Sequence, residues 1–474
     1  MKCLRRLAST APIVAVLALV NPGAALAQAP AAPIPSTPPT PNAAVTGSQS
    51  ALTPTTPGPT PPTAGAPATS ESLRMEDAIR SALTYNERSL KAPLRVDQAE
   101  GQKDRARTAF FPTLTAQGSG SFRATEDRSG RSTTTSGTVT ISQPIIAPSA
   151  FPSYSQASHQ LESERWGSVQ DRRVVAFDTA RAFLQVLTSQ RVLEAAARRL
   201  DRSRANLSNA EARAQAQLAS INDATRAQVD LATALREVAN AQGSNARTLQ
   251  QLGFLMGRKV EGNLVGPDRT DVGAESFENA AKGQVQAAVD RRPDVRAATE
   301  RTEALRASAR EPLYRLIPSL NAQGQMRILP DPLPTERAHD ETLTLNLTWN
   351  VFDAAQRYAD RKTRLAQAES QSLDERLLRR SVSNDVELAL INLRTAREVW
   401  RIAGDQVAAA QKLTEESEIL YRQGLARAIE LTDANARRFD AEVARASARL
   451  SMEQAYLELR FALGLGPIDD ELPR

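Results

Sequence analysis

Pro112-Thr113-Leu114-Thr115-Ala116-Gln117-Gly118 recurs as Pro318-Ser319-Leu320-Asn321-Ala322-Gln323-Gly324, five of seven positions identical at an offset of 206 residues. Each copy follows an Arg- and Ala-rich stretch with helical periodicity and opens a run in which apolar and polar residues alternate. Proline removes a backbone N–H and clashes with the preceding turn, so it stops a helix. Alternation with a period of two marks a strand with one apolar face. An offset this long far exceeds the roughly 20–50 residues of a solenoid unit. The chain therefore reads as a duplicated half, and its features are expected in pairs.

Outward from the phrase, the same order of elements appears twice. Leu73, Ala78, Ile79 and Leu83 predict a short amphipathic helix ending near Tyr85-Asn86, and a second helix is expected from about Ala92 to Phe111. A strand at 113–124 alternates Leu114, Ala116, Gly118, Gly120 and Phe122 with Thr, Gln and Ser. A charged loop holding Glu126, Asp127, Arg128 and Arg131 follows, then a strand at 134–143 carrying Val139 and Ile141 and ending at Pro144. From Pro148 to about Ala214 the chain is rich in good helix formers, and about 65 residues of helix span roughly 100 Å. A further long helix begins near Ser220 and is expected to close at Leu252-Gly253. The second half repeats this with helices at Phe277 to Val289 and Asp294 to Leu316, and strands at 319–328 and 341–351. The loop between those strands holds Pro330, Pro332 and Pro334. Its last strand is the clearest, with Leu343, Leu345, Leu347, Trp349 and Val351 alternating with Thr344, Asn346, Thr348 and Asn350. A long helix from Asp353 to about Tyr421 and a last one from about Ala428 to Leu463-Gly464 complete the chain.

The first 27 residues read as a signal peptide. Lys2, Arg5 and Arg6 precede an apolar core at 13–20 and the small-residue cleavage site Ala25-Leu26-Ala27. Residues 28–70, almost all Pro, Ala, Thr, Ser and Gly, read as a disordered linker. The first repeat is then 71–270 and the second 271–474. Cys3 is the only cysteine and precedes the apolar core, so the mature chain is expected to carry no thiol, disulfide or cysteine metal ligand. Loss of the three basic residues lowers the formal net charge from +5 to +2. Acids alternate with bases along the helices and aromatics make up 4% of the chain, so nothing points to nucleic acid. No other apolar run approaches the roughly 20 residues of a transmembrane helix.

Each strand is about 10 residues long, the length of a transmembrane β-strand, with one apolar and one Thr-, Ser-, Asn- and Gln-rich face. A membrane barrel needs about eight strands or more, and an open edge in lipid is very costly. Two ordinary hairpins packed on helices are the other reading; strands in lipid require that four per chain be completed by other copies, and three copies leave room for passage where two do not. Helices of roughly 100 Å exceed a bilayer core of about 30 Å and must project into water.

This arrangement resembles the TolC-type outer-membrane efflux proteins. The resemblance covers about residues 72–466. It is carried by the duplicated helix–Pro–strand unit, by Leu345-Asn346-Leu347-Thr348-Trp349-Asn350-Val351-Phe352-Asp353, and by Tyr421-Arg422-Gln423-Gly424 leading to Asp433-Ala434. It implies an α+β fold in which a trimeric, 12-stranded outer-membrane β-barrel continues as a long periplasmic α-helical coiled-coil barrel. It also implies an exit duct of a tripartite export system in a Gram-negative outer membrane, for drug efflux or type I protein secretion. Its partners would be a periplasmic adaptor and an inner-membrane transporter of the RND or ABC type, with no cofactor. A periplasmic coiled-coil adaptor or structural protein without a barrel is the alternative.

By position in that family, Glu430 and Asp433 match acids that ring the periplasmic entrance, and Tyr421 and Gly424 match the Tyr and Gly before them. Three copies would give two rings of carboxylates, which attract cations; the spacing of three puts both on one helix face. The competing role is stabilisation of a helix N-terminus. Ala426 occupies a position where the family can carry an entrance-latching Arg, and Arg427 follows one residue later. In the first repeat, Ser220 reads as an N-cap with Asp223 three residues on. Asp223 matches the family's acid there, and Gln217 sits where the family often has Gly. These turns are also where an adaptor's helical hairpin would dock. Trp349 is assigned to an interfacial aromatic belt, and Trp166 and Trp400 to packing. His159 and His339 are the only histidines and lie in opposite halves. No catalytic constellation, phosphate-binding loop or metal-ligand spacing accompanies them, so no enzyme activity is expected.

Overall fold

The computed structural model describes residues 73–125, 132–218, 220–260, 263–266, 283–330, 332 and 337–468. The signal peptide with Cys3, the linker, the loop residues Glu126, Asp127, Arg128 and Arg131, Phe277 and Pro334 lie outside the described residues.

The first repeat runs β1 (Leu73–Arg74), α1 (Met75–Tyr85), α2 (Glu87–Thr108), β2 (Thr113–Phe122), β3 (Thr133–Ile146), α3 (Ala150–Gln215) and α4 (Ile221–Met256). Then come β4 (Leu264–Val265), α5 (Val285–Arg291), α6 (Pro293–Tyr314), β5 (Ser319–Ile328), β6 (His339–Thr348), α7 (Gln356–Arg422) and α8 (Ala428–Ala462). The duplicated phrase falls at the start of β2 and β5, just past the helix stops at Pro112 and Pro318.

The four long strands form one antiparallel sheet in the order β2-β3-β5-β6. Its register gathers the apolar residues of both repeats on one face. Leu114 pairs with Ile141, Ile141 with Gly324, and Gly324 with Leu343, while Ala322 pairs with Leu345 and Leu320 with Leu347. Thr133, Thr135, Gln143, His339 and Glu341 also fall on this face. The other face carries rows such as Thr115, Thr140, Gln325 and Thr342, with a Ser119–Ser136 hydroxyl contact of 2.8 Å. None of the described residues covers the apolar face: Leu114 is 71%, Leu343 80% and Leu345 65% exposed. The outer strands β2 and β6 are exposed along their whole length.

The strand ends depart from the sequence reading. β2 stops at Phe122. β3 does not end at Pro144; it continues to Ile146 through a register shift between Pro144 and Ile146. A bulge tolerates the missing proline N–H. β6 begins at His339 and stops at Thr348, so Trp349, Asn350 and Val351 lie beyond it. There Ala354 and Ala355 take left-handed backbone conformations, φ 50° and 67°. Buried Arg357 anchors the turn by donating to Asp353 Oδ2 at 2.8 Å and to the carbonyls of Asn350 and Val351. The helix therefore starts at Gln356, not Asp353.

Two long helical hairpins, α3–α4 and α7–α8, make up more than half of the described residues. At 1.5 Å per residue, α3 and α7 each span roughly 100 Å. Their large side chains concentrate near mid-length. Phe177, Phe183 and Val186 of α3 pack with Ala78 and Ile79 of α1 and Leu252 and Met256 of α4. Val382, Val386 and Leu393 of α7 pack with Val295 of α6 and Met452 and Leu459 of α8, with Trp400 against them. Trp166 instead carries the Arg296 guanidinium on its ring, 4.6 Å from the centroid. The short parallel pair β1–β4 joins the first cluster.

Helix ends are fixed by specific groups. Asn86 caps α2 by accepting from the Arg88 N–H at 2.9 Å, and its amide donates to the Leu255 carbonyl at 2.9 Å. Hence α2 starts at Glu87, not Ala92, and Pro93 is carried inside it. α4 runs through Gly253 and ends at Gly257, φ 68°, whose counterpart is Gly464, φ 77°. The Leu252-Gly253 stop is thus displaced by one turn, and the repeat offset stays near its initial value. At the end of α8, buried Arg173 lies on the Phe461 ring and donates to the carbonyls of Phe461, Arg460 and Leu465. Burial, then Arg292, presses this guanidinium down to about 10.

Candidate entrance at the hairpin tips

The α3–α4 and α7–α8 turns are built alike. At the end of α3, the Gln217 N–H reaches the Ala214 carbonyl at 3.1 Å and the Leu218 N–H the Arg213 carbonyl at 2.9 Å. At the end of α7, the Gly424 N–H reaches Tyr421 at 3.1 Å and the Leu425 N–H reaches Leu420 at 2.9 Å. Both are Schellman turns, which satisfy the last carbonyls through one residue in the left-handed region. Gly424 fills that position with φ 78°; Gln217 fills it with φ 57°, where an L side chain is strained. The turns leave four large apolar side chains in solvent: Leu218, Ile221, Leu425 and Ile429.

Ser220 opens α4 as its N-cap, its hydroxyl accepting from the Asn222 N–H at 3.2 Å, and Asp223 sits in the first turn. Arg427 holds the same place before α8 with no side-chain cap. Its carbonyl accepts from the Glu430 N–H at 3.0 Å. Glu430 and Asp433 both lie in solvent. Asp433 pairs with Arg437 at 2.8 Å on the same helix, so part of its charge is locally balanced. The fold thus brings Tyr421, Gly424, Arg427, Glu430 and Asp433 to one tip, and Ser220 and Asp223 to the tip beside it.

The sequence reading missed Arg213. This residue, in the last turn of α3, donates from Nη1 to the Tyr421 carbonyl and from Nη2 to the Arg422 carbonyl, both at 2.8 Å. Its guanidinium stands 4.6 Å from the Tyr421 ring centroid. A cation at the last carbonyls of a helix is favourable. Nothing local marks it, because its partners are more than 200 residues away.

The other singled-out residues lie elsewhere. Trp349 is at the far, strand end, its indole N–H donating to the Leu316 carbonyl at 3.0 Å. His159 contacts Glu300 at 2.8 Å between α3 and α6, and His339 opens β6. Among the described residues, no group of three or more His, Cys, Asp or Glu is placed to hold a metal ion, and no helix is long and apolar enough to cross a membrane.

A model for the family described as outer membrane efflux protein matches residues 78–258 and again 284–465, one match in each half. Solved structures of similar fold include the outer membrane channel CmeC of Campylobacter jejuni, at 15% identity and TM-score 0.70, covering 84% of this chain and 87% of that one. The outer membrane protein VceC of Vibrio cholerae aligns at 15% identity and TM-score 0.70, over 83% and 97% of the two chains. The outer membrane channel MtrE of Neisseria gonorrhoeae aligns at 19% identity and TM-score 0.69, over 84% and 90%. No curated protein matches the sequence. At these identities the solved structures speak to the fold; the family model, which covers most of both repeats, speaks to descent. The chain belongs to the outer membrane efflux protein family.

Proposed function

We propose that this protein is the outer-membrane exit duct of a tripartite export system and conducts its cargo passively. The observation that carries this is the sheet: among the described residues, one face is apolar and bare, the other polar, and both edge strands are unpaired. In lipid such edges must be paired. Strand β2 of one copy against β6 of the next continues the antiparallel alternation, and three copies give twelve strands around a polar interior. The bare leucines then face lipid, with Trp349 at the interface.

The helical hairpins extend away from the barrel into the periplasm, and their tips form its entrance. Three copies of Glu430 and Asp433 there favour cations, with Arg427, Tyr421 and Gly424 shaping the turn that presents them. Ser220 and Asp223 hold the neighbouring tip. The exposed Leu218, Ile221, Leu425 and Ile429 offer an apolar end to the helical hairpin of a periplasmic adaptor, which connects the duct to an inner-membrane transporter of the RND or ABC type. The work is transport and not catalysis. An adaptor or a coiled-coil protein without a barrel has no use for a bare four-stranded sheet. Outer-membrane fractionation, followed by gel mobility before and after boiling, tests the proposal. A boiling-sensitive oligomer in the outer membrane supports it, and a soluble monomer sinks it.

A further inference from the structure

The two repeats carry the same β-hairpin in the same register. Leu114 pairs with Ile141 on β2–β3, and Leu320 with Leu347 on β5–β6. Both members of the second pair are displaced by the same 206 residues. Strand β5 is thus the counterpart of β2, and β6 of β3. It follows that β3–β5, the joint between the hairpins inside one chain, brings together the same two kinds of edge as β6 of one copy and β2 of the next.

The free edge of β6 has the form of that joint with one side removed. β3 and β6 start at equivalent residues, Thr133 and His339, yet β3 runs to Ile146 while β6 stops at Thr348, the counterpart of Ser142. Of the residues that prolong β3, Gln143, Pro144 and Ile146 have no partner on β2 and pair only with β5. Their counterparts are Trp349, Asn350 and Phe352, which have no such strand beside them within the chain. Trp349 is 59% and Phe352 83% exposed.

The edge of β2 matches it. The last residue of the duplicated phrase is Gly324 in one copy and Gly118 in the other. At the internal joint Ile141 leans over Gly324, so that a Cβ there would stand 3.0 Å from the Ile141 Cγ2. Gly118, on the free edge, has nothing within 4 Å of the same point. The space that β3 fills over Gly324 is therefore open over Gly118.

We infer that β6 joins β2 of the next copy in the register of β3–β5, so that Leu347 seats over Gly118. The inference rests on the channel reading above and adds the register at which copies meet. Transposed by the repeat offset, Ile141–Gly324 becomes Leu347–Gly118, Val139–Met326 becomes Leu345–Gly120, and Gln143–Ala322 becomes Trp349–Ala116. Leucines of one copy then lie over glycines of the next, the apolar face continues across the seam, and β6 lengthens through Trp349 to Phe352. A slip of one residue would turn these leucines to the polar face. A slip of two keeps the faces but gives the seam a stagger unlike that of the internal joint, and six like hairpins would no longer share the tilt evenly.

Disulfide trapping in the full-length protein tests the register. Cys3 is the only cysteine, so introduced pairs report alone, and directly paired strand residues lie within disulfide reach. Asn346 and Ser119, on the polar face, are the seam equivalents of Thr140 and Gln325. Asn346→Cys is combined with Ser119→Cys and, as slips of two residues either way, with Gln117→Cys or Ser121→Cys. Thr140→Cys with Gln325→Cys closes within one chain and checks the chemistry. Outer membranes are oxidised mildly, covalent dimers and trimers are read on non-reducing gels, and unboiled gels control for assembly. The Asn346–Ser119 pair is expected to link chains several-fold more than either slipped pair. A slipped pair that links best overturns the register, as does an intact oligomer with no interchain link while Thr140–Gln325 closes; neither result touches the channel reading. If the Asn346–Ser119 variant fails to assemble, Thr348→Cys with Gln117→Cys decides in the same way, set against Thr348→Cys with Thr115→Cys or Ser119→Cys. A wild-type chain that stays monomeric sinks the channel reading, and the seam with it.

Discussion

Gly257, at φ 68°, lies so close to Tyr85 that a Cβ on it would stand 2.8 Å from the Tyr85 Cβ. This contact joins the end of α4 to the break between α1 and α2. Gly424 has a similar backbone, φ 78°, with open space around it. Gly257→Ala is therefore expected to cost at least about 2 kcal/mol, the left-handed penalty plus overlap, and Gly424→Ala only about 1 kcal/mol. Thermal unfolding of the two variants checks this order. Equal losses would show that the Tyr85 contact yields freely.

Gln217 and Ala355 occupy left-handed positions without being glycine. Replacement of either by Gly removes a penalty of about 1–2 kcal/mol and adds about 0.5–1 kcal/mol of unfolded-chain entropy. Each variant is expected to gain between nothing and about 1.5 kcal/mol in denaturation. A loss would mean that the side chain makes contacts that outweigh the strain.

Glu375 on α7 ties α6 to α7. Its carboxylate accepts from Thr299 and Thr302 at 2.9 Å each and from Arg379 at 3.0 Å. Burial alone would raise its pKa; the hydrogen bonds outweigh burial and hold it below the usual carboxylate range. A depressed folded-state pKa gives stability that is present above the unfolded value and lost as pH falls through the folded one. Glu375→Gln is expected to cost about 1–3 kcal/mol near neutrality and to flatten the loss of stability below about pH 5. Parallel melts from pH 7 to 3 measure both. An unchanged acid limb would remove Glu375 from that titration.

Glu430 and Asp433 are proposed to set the charge of the entrance. Replacing both by Ala is expected to lower cation preference, read as a shift in reversal potential across a salt gradient. Unchanged selectivity and conductance would return the two acids to stabilising the α8 N-terminus, with Asp433 serving Arg437.

The sheet was legible because a period of two needs no partner to be seen. Leu343, Leu345 and Leu347 alternate with Thr344 and Asn346 whatever lies beside them. The long helices were legible through composition, and the ends of α2 and α6 through the stops at Pro112 and Pro318. What escaped depends on distant residues. The helix expected from about Ala92 starts earlier because its cap is Asn86, fixed by the end of α4. Gly253 looks like a stop, but the left-handed residue is Gly257, where Tyr85 allows no side chain. The pair β1–β4 is two residues long on each side, too short for any pattern. At the tips, Ser220 was readable as a cap from local chemistry alone. Arg213 was not, since its partners belong to the other repeat.

The central claim is that four strands with two open edges are completed by two further copies. The mass of the oligomer extracted from the outer membrane, measured by light scattering with the detergent subtracted, tests it most directly. Three chains per particle is the predicted result; a particle of one chain would contradict it.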